Sequence, residues 1–242
     1  MKITKVTTDA GEFGTPVSTE LSAVVERMQS EKNKETAARI AADTLGMRLM
    51  MDQGSPGYVL PSIDLLPYLI FSATFGRGGF DNPISFSGLV LLNIPCPEGL
   101  LQVDEMRKRV GQIPYTLLAF AGVSGVTLKV VVRCDYHAGG DGKPLASEDH
   151  AVQAYAAFLQ DAHDNAARLY ATLAQCDVVT GRTTITDGCR MGYDSRLYYN
   201  PQALPMPVVR QGTNPLKPYE GTRTDDNGTV IWYPDYEQRE RI

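Results

Sequence analysis

Two apolar, strand-like runs carry the residues on which the chemistry of this chain turns. The first, Gly88–Ile94, closes in Asn93-Ile94-Pro95; the second, Leu128–Cys134, carries Lys129 and Arg133. Side chains two apart on a strand point the same way. Carboxylates at two such alternate positions could together hold divalent metal for nucleotidyl transfer. Here the positions are Asn93 and Pro95: asparagine can offer one neutral oxygen and proline nothing. Farther along, ITDGCRMGYD supplies Asp187, Arg190 and Asp194. Asp187 could ligate metal and Arg190 could bind a phosphate bidentately; equally, an internal Arg–Asp pair could fix a turn.

Other constellations are weaker. GRGGF, with Arg77, and AGVSGVTLK, with Ser124, Gly125 and Lys129, are glycine-rich, yet neither completes GxxxxGK[ST] or GxGxxG. Ser124-Gly125 could offer backbone N–H groups to a phosphate beside the Lys129 ammonium, or simply turn a hairpin. His137, His150 and His163 read as solvated or structural, since no spacing groups them. No GxSxG nucleophile motif occurs, and Cys134-Asp135-Tyr136-His137 places its groups side by side rather than in a catalytic arrangement.

The elements that must position these residues follow from periodicity. Lys2–Thr7 alternates as a strand. Ser18 or Thr19 can cap a helix to about Gln29, and Asn33 a second over Lys34–Met50. Strands are expected at Pro67–Phe75, Phe86–Ile94, Tyr115–Ala121 and Thr127–Cys134, with a short helix at Asp104–Gly111. Ser147–Ala174 forms the longest helix, Cys189–Tyr193 a last short strand, and Tyr198–Pro201 a turn. Mixed strands and helices favour an α+β (α/β layered) domain, a central mixed sheet flanked by helices, over about 1–210, with 211–242 a tail or peripheral extension.

Composition bounds the partners. At 242 residues, 43% hydrophobic and 21% charged, with a net charge of −5, the chain resembles a soluble globular protein without a general positive coat. Cys96, Cys134, Cys176 and Cys189 show no zinc-ligand spacing and read as buried reduced thiols. No signal-like stretch or membrane-length apolar run is present, so a cytoplasmic protein without membrane contact is expected.

The combination LPYLIFSATFGRGG, FSGLVLLNI, PYTLLAFAGVSGVTLKVVVR and ITDGCRMGYDSRLYYNPQALP resembles the VirE N-terminal domain family, grouped with primase-like domains, in order and spacing over roughly residues 1–210. The resemblance implies a primase-like palm, with Mg or Mn as cofactor if active. It also marks departures: the family's Asp-x-Asp is Asn93-Ile94-Pro95, one of its glycines is Thr127, and primases place a histidine near Lys129. Of an implied carboxylate triad only Asp187 remains, so a non-catalytic domain is expected. Its partner would be nucleotide or single-stranded DNA, held by Arg77, Ser124, Gly125, Lys129, Arg133, Arg190 and Arg196, with a separate helicase-like ATPase as a further partner. The alternatives are an active metal-dependent nucleotidyltransferase using Asp187, Asn93 and an outside carboxylate such as Asp135, or a structural or protein-interaction domain presenting Tyr198, Tyr199, Trp232 and Tyr233.

Overall fold

The computed structural model describes residues 1–9, 12–30, 66–76, 79–81, 83–136, 148–209, 222–224 and 230–232, with positions 38, 39, 42, 44 and 46. It has the α+β character expected from the sequence. One antiparallel sheet contains β1 (Lys2–Asp9), β2 (Glu12–Glu20), β3 (Tyr68–Ile70) and β9 (Gly188–Arg190), in the order β2-β1-β3-β9. The other contains β6 (Leu89–Pro95), β7 (Thr116–Ala121), β8 (Thr127–Arg133) and β10 (Tyr198–Tyr199), in the order β10-β7-β8-β6. Two small pairs complete the strands: β4 (Ala73–Phe75) with β5 (Pro83–Phe86), and β11 (Thr222–Thr224) with β12 (Val230–Trp232). The helices are α1 (Leu21–Gln29), α2 (Leu100–Gly111) and α3 (Glu148–Ala174). The expected helix over 34–50 and the loop over 138–143 fall largely or wholly outside the described residues, as does most of 211–242.

The second sheet separates two cores because its side chains alternate. Val90, Leu92 and Ile94 of β6, with Leu128, Val130 and Val132 of β8, pack with Val103 and Val110 of α2 and Tyr155, Leu159 and Tyr170 of α3. Leu89 of β6 and Val131 of β8 face the other way, into a cluster with Leu69 and Phe71 and with Leu21, Val24, Val25 and Met28, the buried stripe of α1. Asn93 pairs with Lys129 and Leu89 with Arg133, so the polar residues of the two strands share the face that looks toward the first sheet.

Local chemistry explains where the observed elements depart from periodicity. The run 67–75 is two strands, because Phe71 and Ser72 turn the chain from one sheet into the β4–β5 pair. Tyr155 of α3 clamps that break, donating its hydroxyl to the Ser72 carbonyl at 2.6 Å while accepting the Gly88 N–H at 3.3 Å. Phe86 and Leu89 likewise belong to separate strands, divided at Ser87-Gly88. Gly88 has φ +69, and a Cβ there would lie 2.9 Å from the Cys134 carbonyl oxygen. Ser18 and Thr19 lie in β2 rather than capping α1, whose N-cap is Glu20 without a side-chain cap bond. Helix α2 starts at Leu100 rather than Asp104: Gly99 supplies φ +82 at its N-cap, and the Gln102 side chain accepts the Glu98 N–H at 3.0 Å.

One buried charge network ties α2 to the chain after β9. Arg107, 8% exposed, reaches Asp104 at 2.5 Å and Asp194 at 2.6 Å, while Arg196 holds the other Asp104 oxygen at 2.5 Å. Asp194 also accepts the Ala121 and Arg196 N–H groups at 2.7 and 3.0 Å. Its carboxylate is thus satisfied by hydrogen bonds as well as charge, the condition under which a buried ion is tolerated.

Candidate functional site

Strand β6 is the edge of its sheet, and a cleft of about 210 Å³ opens beside it. Leu89, Leu91 and Asn93 form one wall, Tyr68, Phe71 and Ser72 the facing one, and Leu159 and His163 of α3 a flank. A strap over 179–188 crosses the opening and contributes Arg182, Thr183, Thr184 and Asp187. The strap is fastened to all three surroundings. Val179 donates its N–H to the Asn93 carbonyl at 2.9 Å, so the strap caps the β6 edge. Gln160 of α3 accepts the Thr183 N–H at 2.9 Å and donates to the Gly181 carbonyl at 3.0 Å, and Ser72 donates its hydroxyl to the Ile185 carbonyl at 2.6 Å.

The dominant polar contact is between the paired strands. Lys129 Nζ donates to Asn93 Oδ1 at 2.6 Å, both side chains being half-buried. The one side-chain oxygen of the Asn93-Ile94-Pro95 run is therefore occupied by an ammonium, which repels a divalent cation at short range. Pro95 is exposed and supplies no donor atom. Asp187 does line the cleft, but its carboxylate is engaged by the Thr184 N–H and hydroxyl, at 2.8 and 2.6 Å, and by the Thr183 hydroxyl at 3.2 Å. Asp135 lies six residues beyond Lys129, at the far end of the sheet, about 20 Å away at the usual rise per strand residue. Among the described residues no three of His, Cys, Asp and Glu gather as metal ligands. The donors in this cleft therefore do not fit a two-metal site.

The other candidate residues separate. Arg133 donates to the Ala203 carbonyl at 3.2 Å. Arg190 donates to the Leu66 carbonyl at 2.8 Å and lies over the Tyr68 ring, 5.6 Å from its centroid. Arg196 joins the Asp104 network. Asp187 and Arg190 thus both lie near Tyr68, while Asp194, their neighbour in sequence, is held by Arg107. At Ser124-Gly125 the chain makes a hairpin: Gly125 donates to the Gly122 carbonyl at 2.9 Å, Gly122 to Thr127 at 2.8 Å, and Val126 to the Ser124 hydroxyl at 3.4 Å. Those amides are committed to the turn. Arg77 and His137 lie outside the described residues. Burial pushes the Tyr68 phenol up, which keeps it neutral in the cleft wall, and pushes the Cys189 thiol on β9 up to about 12.

His163, read from the sequence as solvated or structural, lines the cleft with only 7% exposure. Its position one turn after Leu159, on a helix packed against β6, is the signal that could have found it.

The chain matches the family described as BT4734-like, N-terminal domain, over residues 62–199. The match spans more than half of the 242 residues, and the chain belongs to that family. This corrects the resemblance to the VirE N-terminal domain and primase families, neither of which matches. The structure gives a physical reason: much of the motif that carried the resemblance shapes turns. Gly88 and Gly122 sit where a Cβ would collide, and Asn200 accepts the Gln202 N–H at 3.1 Å to form the corner before Pro201. Such residues report turn geometry and do not identify an activity. No curated protein and no solved structure matches the chain. Among the described residues no helix is long and apolar enough to cross a membrane.

Proposed function

We propose that this member of the BT4734-like N-terminal domain family is a non-catalytic binding module whose cleft takes the phosphate-bearing part of a nucleotide or of a single-stranded nucleic acid without divalent metal. The observation that carries the reading is the 2.6 Å contact of the Lys129 ammonium with the side chain of Asn93, a residue that lines the cleft. An ammonium at this place offers an anion the positive charge that a bound metal would otherwise supply. Arg182, exposed on the strap, adds a second cation, and the Thr183 and Thr184 hydroxyls add short polar groups. Tyr68, half-buried in the cleft wall, provides the aromatic surface that a base or sugar requires. At about 210 Å³ the cleft suits one nucleotide unit rather than a run of them.

The test is fluorescence anisotropy of a tetramethylrhodamine-labelled deoxythymidine oligonucleotide, titrated with protein at low salt, with and without EDTA. Binding at micromolar protein is expected, unchanged by EDTA and weakening steeply as salt rises. Lys129→Gln should weaken it by about tenfold, the scale of one charge-assisted contact. No binding at micromolar protein, or binding that disappears with EDTA, would refute the proposal.

A further inference from the structure

The backbone of β6 carries polar groups that its own sheet does not use. In an antiparallel ladder, residue pairs that exchange hydrogen bonds alternate with pairs that do not. The Cys134 N–H meets the Gly88 carbonyl at 2.9 Å and the Cys96 N–H meets the Val126 carbonyl at 2.8 Å, so the even-numbered residues of β6 bond to β8. The odd-numbered Leu89, Leu91 and Asn93 therefore turn their N–H and C=O groups away from β8, to the open edge. Contacts at either end agree with that direction. Leu89 donates its N–H to Ser87 Oγ at 3.1 Å, and the Asn93 carbonyl accepts the Val179 N–H at 2.9 Å. Between them half-buried Leu91 has neither its N–H nor its C=O paired among the described residues. The cleft lies at this edge: Leu159 reaches it from one face of the sheet, Phe71 from the other, and Val179 from the strap.

We propose that this backbone rung at Leu91 reads the Watson–Crick edge of an unpaired nucleobase, its N–H donating to a base acceptor and its C=O accepting from the neighbouring base N–H. The inference rests on the anion-binding reading of the cleft and adds the part of the ligand that carries the base. The N–H and C=O of one extended residue stand side by side, and a base presents an acceptor and a donor side by side on that edge, O4 and N3–H in thymine. The number of rungs decides the occupant. An extended peptide adds to a sheet edge through successive rungs. Here Ser87 Oγ takes part of the rung before Leu91 and the strap takes part of the rung after it, leaving one whole rung, which suits a small planar group. Tyr68, on the facing wall, supplies an aromatic surface for that group. Leu91 and Asn93 are two residues apart, about 7 Å along the strand, which lets a base at Leu91 and a phosphate near the Lys129–Asn93 contact belong to one nucleotide. A base in a duplex has the same edge occupied by its complement, so the cleft selects single strands.

The test keeps the phosphates and changes the base. Anisotropy titrations compare the rhodamine-labelled deoxythymidine oligonucleotide with the same strand built from N3-methylthymidine, from deoxyuridine, or from abasic units. The N3-methyl group removes the base donor, whereas deoxyuridine keeps the whole edge and should bind like thymidine. The N3-methyl and abasic strands should bind wild type about tenfold more weakly, the scale of a hydrogen bond lost with its partner left unpaired. The thymidine strand annealed to its deoxyadenosine complement should compete no better than the abasic strand. Leu91→Pro removes the N–H at an edge position, where a sheet tolerates proline, and should bind thymidine and N3-methylthymidine strands alike. Leu91→Ala keeps the backbone groups and should keep the preference, and the wild-type comparison needs no variant to fold. Equal wild-type affinity for the thymidine, N3-methyl and abasic strands overturns the base reading, leaves the edge to a peptide strand, and lets the phosphate reading stand. A folded Leu91→Pro variant that still discriminates places the contact elsewhere and overturns it too. If wild type binds none of the strands at micromolar protein, both readings fall.

Discussion

Lys129 and Asn93 form a pair whose consequences separate by substitution. Asn93→Ala removes the acceptor and frees the ammonium, so oligonucleotide affinity should stay within about threefold of wild type. Asn93→Asp keeps the shape but places a carboxylate 2.6 Å from Nζ, neutralising the cation the ligand would use. Its affinity should fall about tenfold, the equivalent of about 1.4 kcal/mol. Anisotropy titrations of both variants at one salt concentration check this; an aspartate variant that binds as tightly as the alanine one contradicts the account. Part of this site was legible in the sequence, because alternation along two antiparallel strands puts residues 93 and 129 on one face. The fates of the arginines were not. Arg133 reaches a carbonyl 70 positions away in the chain and Arg190 one 124 positions away, and neither pairing leaves a local pattern. His163 escaped for a related reason: a lone histidine on an amphipathic helix gains meaning only from the strand edge and strap brought beside it.

At the scale of elements, turns decide where strands end. Periodicity located β1, β6, β7, β8 and α3 closely, since each is long enough to show its alternation or helical stripe. It merged β3 with β4 across Phe71-Ser72, and it ran the β6 strand back to Phe86, the last residue of β5, across Ser87-Gly88, where the hydrogen bonds redirect the chain. It also missed β2, whose Glu12–Glu20 stretch is mostly exposed and pairs β1 along an edge. The β7–β8 hairpin shows how strictly such a redirection constrains a residue. A Cβ at Gly122 would lie 2.2 Å from Thr127 Oγ1, well inside contact distance, but 3.3 Å from the Thr127 carbonyl oxygen. Gly122→Ala should therefore destabilise the protein by about 1–3 kcal/mol, the range for overpacking. Adding Thr127→Ala removes the offending hydroxyl and should recover most of the loss. Urea denaturation of both single variants and the double variant reads the coupling directly. Additive losses would place the strain in the backbone rather than in the hydroxyl.

At the scale of the whole molecule, the sheet β10-β7-β8-β6 divides two dry cores, and each holds a thiol. Cys134 lies with the α2–α3 core and Cys189 with the α1 core. Burial pushes both thiols up to about 12 from an ordinary value near 9, and drives the Tyr155 and Tyr170 phenols upward as well. The sign of the consequence follows from proton counting. Below pH 9 the thiols are protonated in the folded and unfolded chains alike, and their contribution to stability is constant. Between 9 and 12 the unfolded chain releases protons that the folded one retains, so the unfolded state binds fewer protons and stability falls as pH rises. Each fully buried thiol contributes a slope approaching about 1.4 kcal/mol per pH unit across that window. The phenols steepen the fall once pH passes their ordinary value of 10.0. Urea midpoints should thus be level from pH 7.5 to about 9 and drop progressively by pH 11. Cys134→Ala and Cys189→Ala should each start from a lower midpoint, because a buried side chain is truncated, yet show a shallower alkaline decline than wild type. A wild-type midpoint that holds to pH 11, or alanine variants that decline as steeply as the parent, would place the thiols in contact with water and break the division into two dry cores.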